Sequence, residues 1–505
     1  MTASERNLDQ SQAPLLTALQ SWADRDYAAF HTPGHKRGQG APNNLIQLLS
    51  NPALRADLPE LPELDNLFAP KGVIQKAQEL AADAFGADRT WFLANGSTAG
   101  IIAAILATCK PGDAIALPRN VHQSVISGLI LAGVNPVFVM PEYDAAWDMA
   151  LGVTAGAIAQ TLVEHPQVAA VLIVSPNYYG VGCEIAAIAG ITDRHHIPLI
   201  VDEAHGAHFA FHPDLPASAL ASGADITIQS THKTLSALTQ ASMLHLQGDR
   251  VSAERISRSL ALIQSTSPNY LLLASLDAAR QQMATIGHPM LAQTLALVKS
   301  TKQALSEVNH IRVFEHSEYF DDTRLTIDVS GLGITGFTAD EILAEQFNMM
   351  CELPSLRHLT FIFSIGTTVR DSDRLVQAIT QLAQQSHGAE RIPRSQPPQF
   401  PETVLSPREA FFADTQTIAI DQAIGQISGE LICPYPPGIP VLLPGERITA
   451  EAIGLLQAVL RSGGLISGCA DPELKTIRTI ADHNQPNQNH HINFQQSIAA
   501  QENLP

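Results

Sequence analysis

An α/β fold with a mostly parallel, doubly wound sheet is what this 505-residue sequence predicts. Three observations carry that prediction. Short β-branched runs alternate with stretches of helical length across residues 75–308, which is the pattern of repeated βαβ units. Several of these runs end in polar or charged residues, as strands do when their carboxyl ends line a binding edge. The chain is 45% hydrophobic and 16% charged, so large cores can be buried.

Taken in order, residues 1–74 read as an arm and loops. A polar leader is followed by an amphipathic stretch, Leu15–Ala23, and then by Phe30-His31-Thr32-Pro33-Gly34-His35-Lys36-Arg37-Gly38, whose Pro and Gly forbid regular structure. That basic loop suits contact with a ligand or partner subunit, or a solvated arm. Residues 58–72 form an acid-bearing loop. A helix is expected over Val73–Phe85, then strands at Thr90–Leu93, Asp113–Leu117, Pro136–Met140, Ala169–Val174, Leu199–Val201, Asp225–Gln229 and Ser242–Leu246. Helices are expected at Ile101–Cys109, Val121–Ala132, 153–164 and Ile185–His195, and two long ones at 253–286 and 289–308. Residues 309–384 read as a small α/β domain, with strands Thr323–Val329 and Leu359–Ile365 and a helix at Ala339–Phe347. Residues 385–402 are Pro-, Gln- and Ser-rich and read as a linker. A C-terminal domain spans 403–482, and the Asn/Gln/His-rich stretch 483–505 is expected to be disordered.

The formal charge of −19 disfavours nucleic-acid or anionic-membrane binding. Cys109, Cys183, Cys351, Cys433 and Cys469 form no CxxC pair, so neither a zinc ribbon nor a disulfide framework is indicated. No metal is expected, His490 and His491 included. No apolar signal core precedes residue 14, and no run nears 18 apolar residues. A cytoplasmic location is expected.

Chemistry concentrates at predicted strand ends. Asn95-Gly96-Ser97-Thr98-Ala99-Gly100 joins a strand to a helix. Its small residues let backbone N–H groups, the helix dipole and two hydroxyls face an anion, although Ser and Thr also cap ordinary helices. Gly-Lys-Ser/Thr does not follow and GxGxxG is missing, so neither a Walker site nor a dinucleotide is favoured. His122 follows another strand and can stack on a flat ring. Asp202 ends the strand Leu199–Val201, and Ser230-Thr231-His232-Lys233 ends the run 225–229. Each residue alone has an ordinary structural reading. Together, in this order on one sheet, they suggest a Schiff-base lysine, Lys233, with Asp202 keeping a pyridine nitrogen protonated. The cofactor so indicated is pyridoxal 5'-phosphate (PLP). Ser230 and His232 would add phosphate donors.

The stretches FHTPGHKRG, ELDNLFAP, NGSTAG, PRNVHQSV, SPNYYGVGCEI, VDEAHGAHF, QSTHKTLSALTQAS and PYPPGIPVLLPGE span residues 30–446. With them the chain resembles the Orn/Lys/Arg decarboxylases, PLP enzymes with the aspartate aminotransferase fold (fold type I). The resemblance implies Lys233 as the imine lysine, Asp202 as the ring-nitrogen partner and His122 as the stacking imidazole. Gly96, Ser97, Thr98, Ser230 and His232 match phosphate-site positions, and His205 falls in the cofactor-binding VDEAH stretch. The HTPGHK segment begins at residue 31, so the short subgroup lacking an N-terminal wing domain is expected. His205 stands where some long members have a bulky aromatic, and Gln123 where they have lysine; both departures bear on substrate preference.

The implied reaction is decarboxylation of arginine, lysine or ornithine to agmatine, cadaverine or putrescine with carbon dioxide. His232 or Lys233 would return the proton to the α-carbon. Asp65 and Glu446 are the candidate carboxylates for the substrate's distal cation, with at least a homodimer expected. An aminotransferase or aldolase of the same fold, or a non-catalytic regulatory homologue, are the alternatives.

Overall fold

The computed structural model describes residues 8–316, 318–385, 392, 401–435 and 438–481. Most of the expected linker, all of the expected disordered stretch and the His490–His491 pair lie outside the described residues.

Seven strands form the large sheet: β1 (Arg89–Leu93), β2 (Ala114–Pro118), β3 (Asn135–Val139), β4 (Val168–Val174), β5 (Leu199–Asp202), β6 (Ile226–Gln229) and β7 (Ser242–Leu246). Their order across the sheet is β1-β7-β6-β5-β4-β2-β3. Neighbours from β6 through to β3 run parallel. Strand β7 runs antiparallel to both β6 and β1. The reason is local. Only a one-turn helix, α8 (Thr231–Thr234), lies between β6 and β7, and a parallel return needs a longer crossover.

Both sheet faces are buried, and alternate residues supply them. Ile115, Leu117, Leu172, Ile200 and Leu244 enter one core with helices α4 (Gly96–Thr108), α5 (Gln123–Ala132) and α9 (Ala253–Ile263). Ala116, Val171, Ile173, Leu199 and Val201 face α6 (Ala155–Glu164) and α7 (Ile185–His195). Phe92 and Met243 face a third core with α1 (Pro14–Asp24), α3 (Val73–Phe85) and α10 (Tyr270–Ser306). Gly100 sets the height of α4 above the sheet: a Cβ there would sit 2.7 Å from Leu93 Cδ1 and 2.9 Å from Ile228 Cγ2. The α1 start is pinned by Asp277, whose carboxylate accepts from the N–H groups of Leu15 and Leu16 and pairs with buried Arg280.

Two expectations need correcting. The long helical region breaks at Gln264–Asn269, not at Pro289, which lies inside α10. The Asn269 side chain caps the N–H groups of Leu271 and Leu272. An interior proline costs about 3 kcal/mol, but Met283 and Leu291 flank it in the core and hold the helix. A helix α2 (Asn43–Ala56), unforeseen from sequence, is broken at Ser50, where φ is 69° ahead of Pro52.

A second sheet, β8 (Arg312–Val313), β9 (Arg324–Asp328), β10 (Leu353–Pro354) and β11 (His358–Ile362), is antiparallel in the order β8-β9-β11-β10. It packs with α11 (Gly336–Phe347), α12 (Val369–Gln384) and Val298 and Leu305 of α10. The last segment contributes α13 (Pro407–Phe412), α14 (Ala450–Arg461) and two antiparallel strand pairs, 415–419 with 476–480 and 433–435 with 465–467, around its own core.

Candidate active site

The carboxyl ends of β5 and β6 lie side by side, Asp202 pairing with Ile228 in register. This brings the groups of two distant sequence stretches to one edge. Asp202 is buried, and its Oδ1 accepts from the Ala204 N–H at 3.1 Å. Burial raises the Asp202 pKa, and the nearby Lys233 charge opposes that rise. The Lys233 pKa is lowered, first by desolvation and also by Arg324, while Asp202 and Glu352 act the other way. Lys233 Nζ lies 3.1 Å from His205 Nε2.

The expected anion cradle, Asn95–Gly100, holds the start of α4, so the helix begins about one turn earlier than the sequence suggested. Gly96 adopts φ +76°, in the region that favours glycine. Asn95 precedes the helix without capping it; its Oδ1 accepts from the Ser265 N–H instead. The first-turn N–H groups therefore lack a side-chain cap. Ser97 is half-buried, Thr98 is exposed, and Ser230 Oγ donates to Ser97 Oγ at 2.7 Å. That bond ties the start of α4 to the strand end that carries Lys233.

His122 is the N-cap of α5, and its Nδ1 accepts from the Ser124 N–H at 3.2 Å. Burial, then the charge of Lys233, pushes its pKa down to about 4. The ring is neutral at physiological pH, as suits stacking on an aromatic face. The C-terminal segment walls it: the Gln123 N–H donates to the Gly438 carbonyl at 3.2 Å. A Cβ on Gly438 would lie 3.6 Å from His122 Nε2. His232 donates Nδ1–H to the Ala241 carbonyl at 3.0 Å, and burial lowers its pKa.

Three groups at the site escaped the sequence reading. The Tyr178 ring centroid lies 4.5 Å from that of His205 and 5.6 Å from Lys233 Nζ. Arg324, fully buried on β9, donates Nη2 to the His205 carbonyl at 3.1 Å and contacts His205 Nδ1 at 3.3 Å. Glu352, exposed ahead of β10, exerts a charge on both Lys233 and Arg324. SPNYYG carried a sequence signal for Tyr178; nothing local marks Arg324 or Glu352, because their relevance is purely spatial.

Neither expected substrate carboxylate is free. Asp65 caps α3, accepting from the N–H groups of Asn66, Lys71, Gly72, Ile74 and Gln75. Glu446 is buried in an ion pair with Arg119 at 2.9 Å and also accepts from the Leu443 N–H. Asp65 is consumed by backbone N–H groups, and Glu446 by Arg119 and one backbone N–H. Among the described residues no cluster of His, Cys, Asp or Glu could hold a metal ion, and no helix is long and apolar enough to cross a membrane.

Known proteins share both the sequence and the shape. The arginine decarboxylase of Bacillus subtilis is 38% identical over 486 residues, covering 94% of this chain and 99% of that one. The solved lysine decarboxylase of Francisella novicida superposes with a TM-score of 0.79 at 22% identity, over 93% of this chain and 81% of that one. An alanine–glyoxylate aminotransferase from Nostoc superposes at 0.52 and 16% identity, over 61% of this chain and 86% of that one, so the large-domain fold is that of the fold type I enzymes. The Orn/Lys/Arg decarboxylase major-domain model matches residues 13–325, and the C-terminal-domain model of the same family matches residues 391–469. Matched along nearly its whole length, the chain belongs to the Orn/Lys/Arg decarboxylase family.

Proposed function

We propose that this chain decarboxylates a basic L-amino acid, arginine first, with PLP as cofactor and Lys233 as its Schiff-base lysine. The observation that carries the proposal is the seating of Lys233 Nζ, half-buried beside His205 at a strand end adjacent to Asp202. The residues fit the cofactor: an uncapped helix start with hydroxyls, a neutral imidazole, and a buried carboxylate. When bound, PLP supplies an electron sink for the bond to the departing carboxylate.

The chain's own residues have the remaining roles. Gly96, Ser97, Thr98 and Ser230 would receive the phosphate, with His232 beside them. His122 would cover one ring face, and its low pKa leaves it a neutral ring suited to stacking. Asp202 would hold a proton on the pyridine nitrogen, and a buried carboxylate does so without competition from water. Lys233 would return a proton to the substrate's α-carbon. His232 is the weaker donor, since its Nδ1 proton is committed to a carbonyl. Glu352 replaces Asp65 and Glu446 as the proposed partner of the substrate's distal cation, because it is exposed and its charge acts on both Lys233 and Arg324.

Arginine is preferred to lysine because the arginine decarboxylase relative is 38% identical and the lysine decarboxylase structure 22%. The product would then be agmatine, a polyamine precursor. A homodimer and a cytoplasmic location are part of the same reading; five cysteines without a disulfide support a reducing compartment. The test is a product assay with arginine, lysine and ornithine. Carbon dioxide and agmatine from arginine are expected. A keto acid instead would make the protein an aminotransferase, and turnover of lysine or ornithine alone would overturn the choice of arginine.

A further inference from the structure

A guanidinium has N–H donors and no acceptor. Arg324 Nη2 lies 3.3 Å from His205 Nδ1, so Nδ1 must carry the lone pair. The proton of a neutral imidazole then sits on Nε2, which lies 3.1 Å from Lys233 Nζ. An ammonium there would set donor against donor. The contact closes when Nζ offers its own lone pair. The reverse arrangement, an ammonium donating to Nε2, would put the imidazole proton on Nδ1, against the guanidinium.

Arg324 has little freedom to move away. It is fully buried, 3.7 Å from Asp321, which itself accepts from Thr323 Oγ1 and contacts His208. Its stem lies against Gly180, where a Cβ would come within 2.8 Å of Arg324 Cγ. The groups facing Lys233 come from every surrounding element. Asp202 and Glu352 favour the ammonium; Arg324 opposes it, His122 and His232 are neutral imidazoles, and Tyr178 presents its ring. Burial of both His205 and Lys233 acts in the same sense as Arg324.

We propose that Arg324 and His205 are positioning residues that order one proton so that Lys233 is held as the free amine. The second sheet thus reaches through Arg324 to the nucleophile of the first. The inference rests on Lys233 being the Schiff-base lysine.

The test uses the full chain freed of cofactor. PLP is added across a pH series, and its capture is followed by absorbance. In that step the amine nitrogen bonds to the aldehyde carbon, and the carbonyl oxygen leaves as water. Borohydride then reduces the carbon–nitrogen double bond, and peptide masses locate the adduct. Arg324→Met is expected to move the midpoint of the rate profile up by about one pH unit, so capture near neutrality slows about tenfold while the high-pH plateau holds. Arg324→Lys should give an intermediate shift. An unmoved midpoint with a lowered plateau would show a structural role only and overturn the inference. Should Arg324→Met not fold, His205→Asn is expected to give the same upward shift, and an unmoved midpoint there overturns it equally. An adduct found elsewhere than Lys233 in the wild type would instead overturn the proposed function.

Discussion

Glu446→Ala separates two roles for that residue, because structure and substrate binding predict opposite readouts. In the fold its carboxylate accepts from Arg119 Nε and Nη2 at 3.2 and 2.9 Å and from the Leu443 N–H at 2.8 Å. Arg119 also donates to the carbonyls of Pro440 and Val441, so the pair clamps the C-terminal segment just beyond the end of β2, at a position three residues before His122. Both side chains are at most 4% exposed. Removing one partner leaves a buried cation uncompensated, which costs about 3–5 kcal/mol. A single unfolding free energy suits a protein of several cores poorly, so local opening is the better measure. Hydrogen exchange around residues 438–446 should quicken by roughly 10²–10⁴-fold. Glu446→Gln keeps an acceptor and should lose about half as much. The KM for arginine should change little beside this. Unchanged exchange together with a KM raised tenfold or more would refute the reasoning and return Glu446 to the substrate.

Further outcomes follow from other groups. Lys233→Ala should abolish decarboxylation with the fold intact, and Asp202→Asn should bind PLP but lose most of its rate; turnover and the cofactor absorbance band report both. Glu352→Gln should raise the KM for a basic substrate by about tenfold with a smaller change in kcat, since one charge-assisted contact is worth about 1.5–3 kcal/mol; an unchanged KM removes it from substrate recognition. Burial pushes Glu203 up to about 8 from an ordinary 4.5, so the folded state holds a proton that the unfolded chain releases. Its contribution is complete below pH 4.5 and fades as pH rises to 8, by at most about 1.4 kcal/mol per unit. Urea titrations from pH 5 to 8 should show a flatter decline in Glu203→Gln than in wild type; equal slopes would count against it.

The sequence by itself determined the strands of the large sheet and the order of the chemistry-bearing residues along the chain. Those signals are local: a β-branched run ends, and a lysine, an aspartate or a small-residue turn follows at a strand end. It started α4 about one turn late, because Gly96 and Ser97 look like a loop until a helix starts on them. It could not show that β7 runs backwards, since a short apolar run carries no direction.

Acids are harder to read. Asp65 and Glu446 stand in matching motifs, yet one caps a helix and the other neutralises a buried arginine. Whether a carboxylate meets solvent or five backbone N–H groups depends on the path of the chain around it. The tertiary structure alone decided that Arg324, 91 residues beyond Lys233 in the sequence, comes within hydrogen-bond reach of the imidazole touching the lysine. Charge state at this site is a property of packed neighbours in a poorly screened interior, and those neighbours are assembled from both sheets.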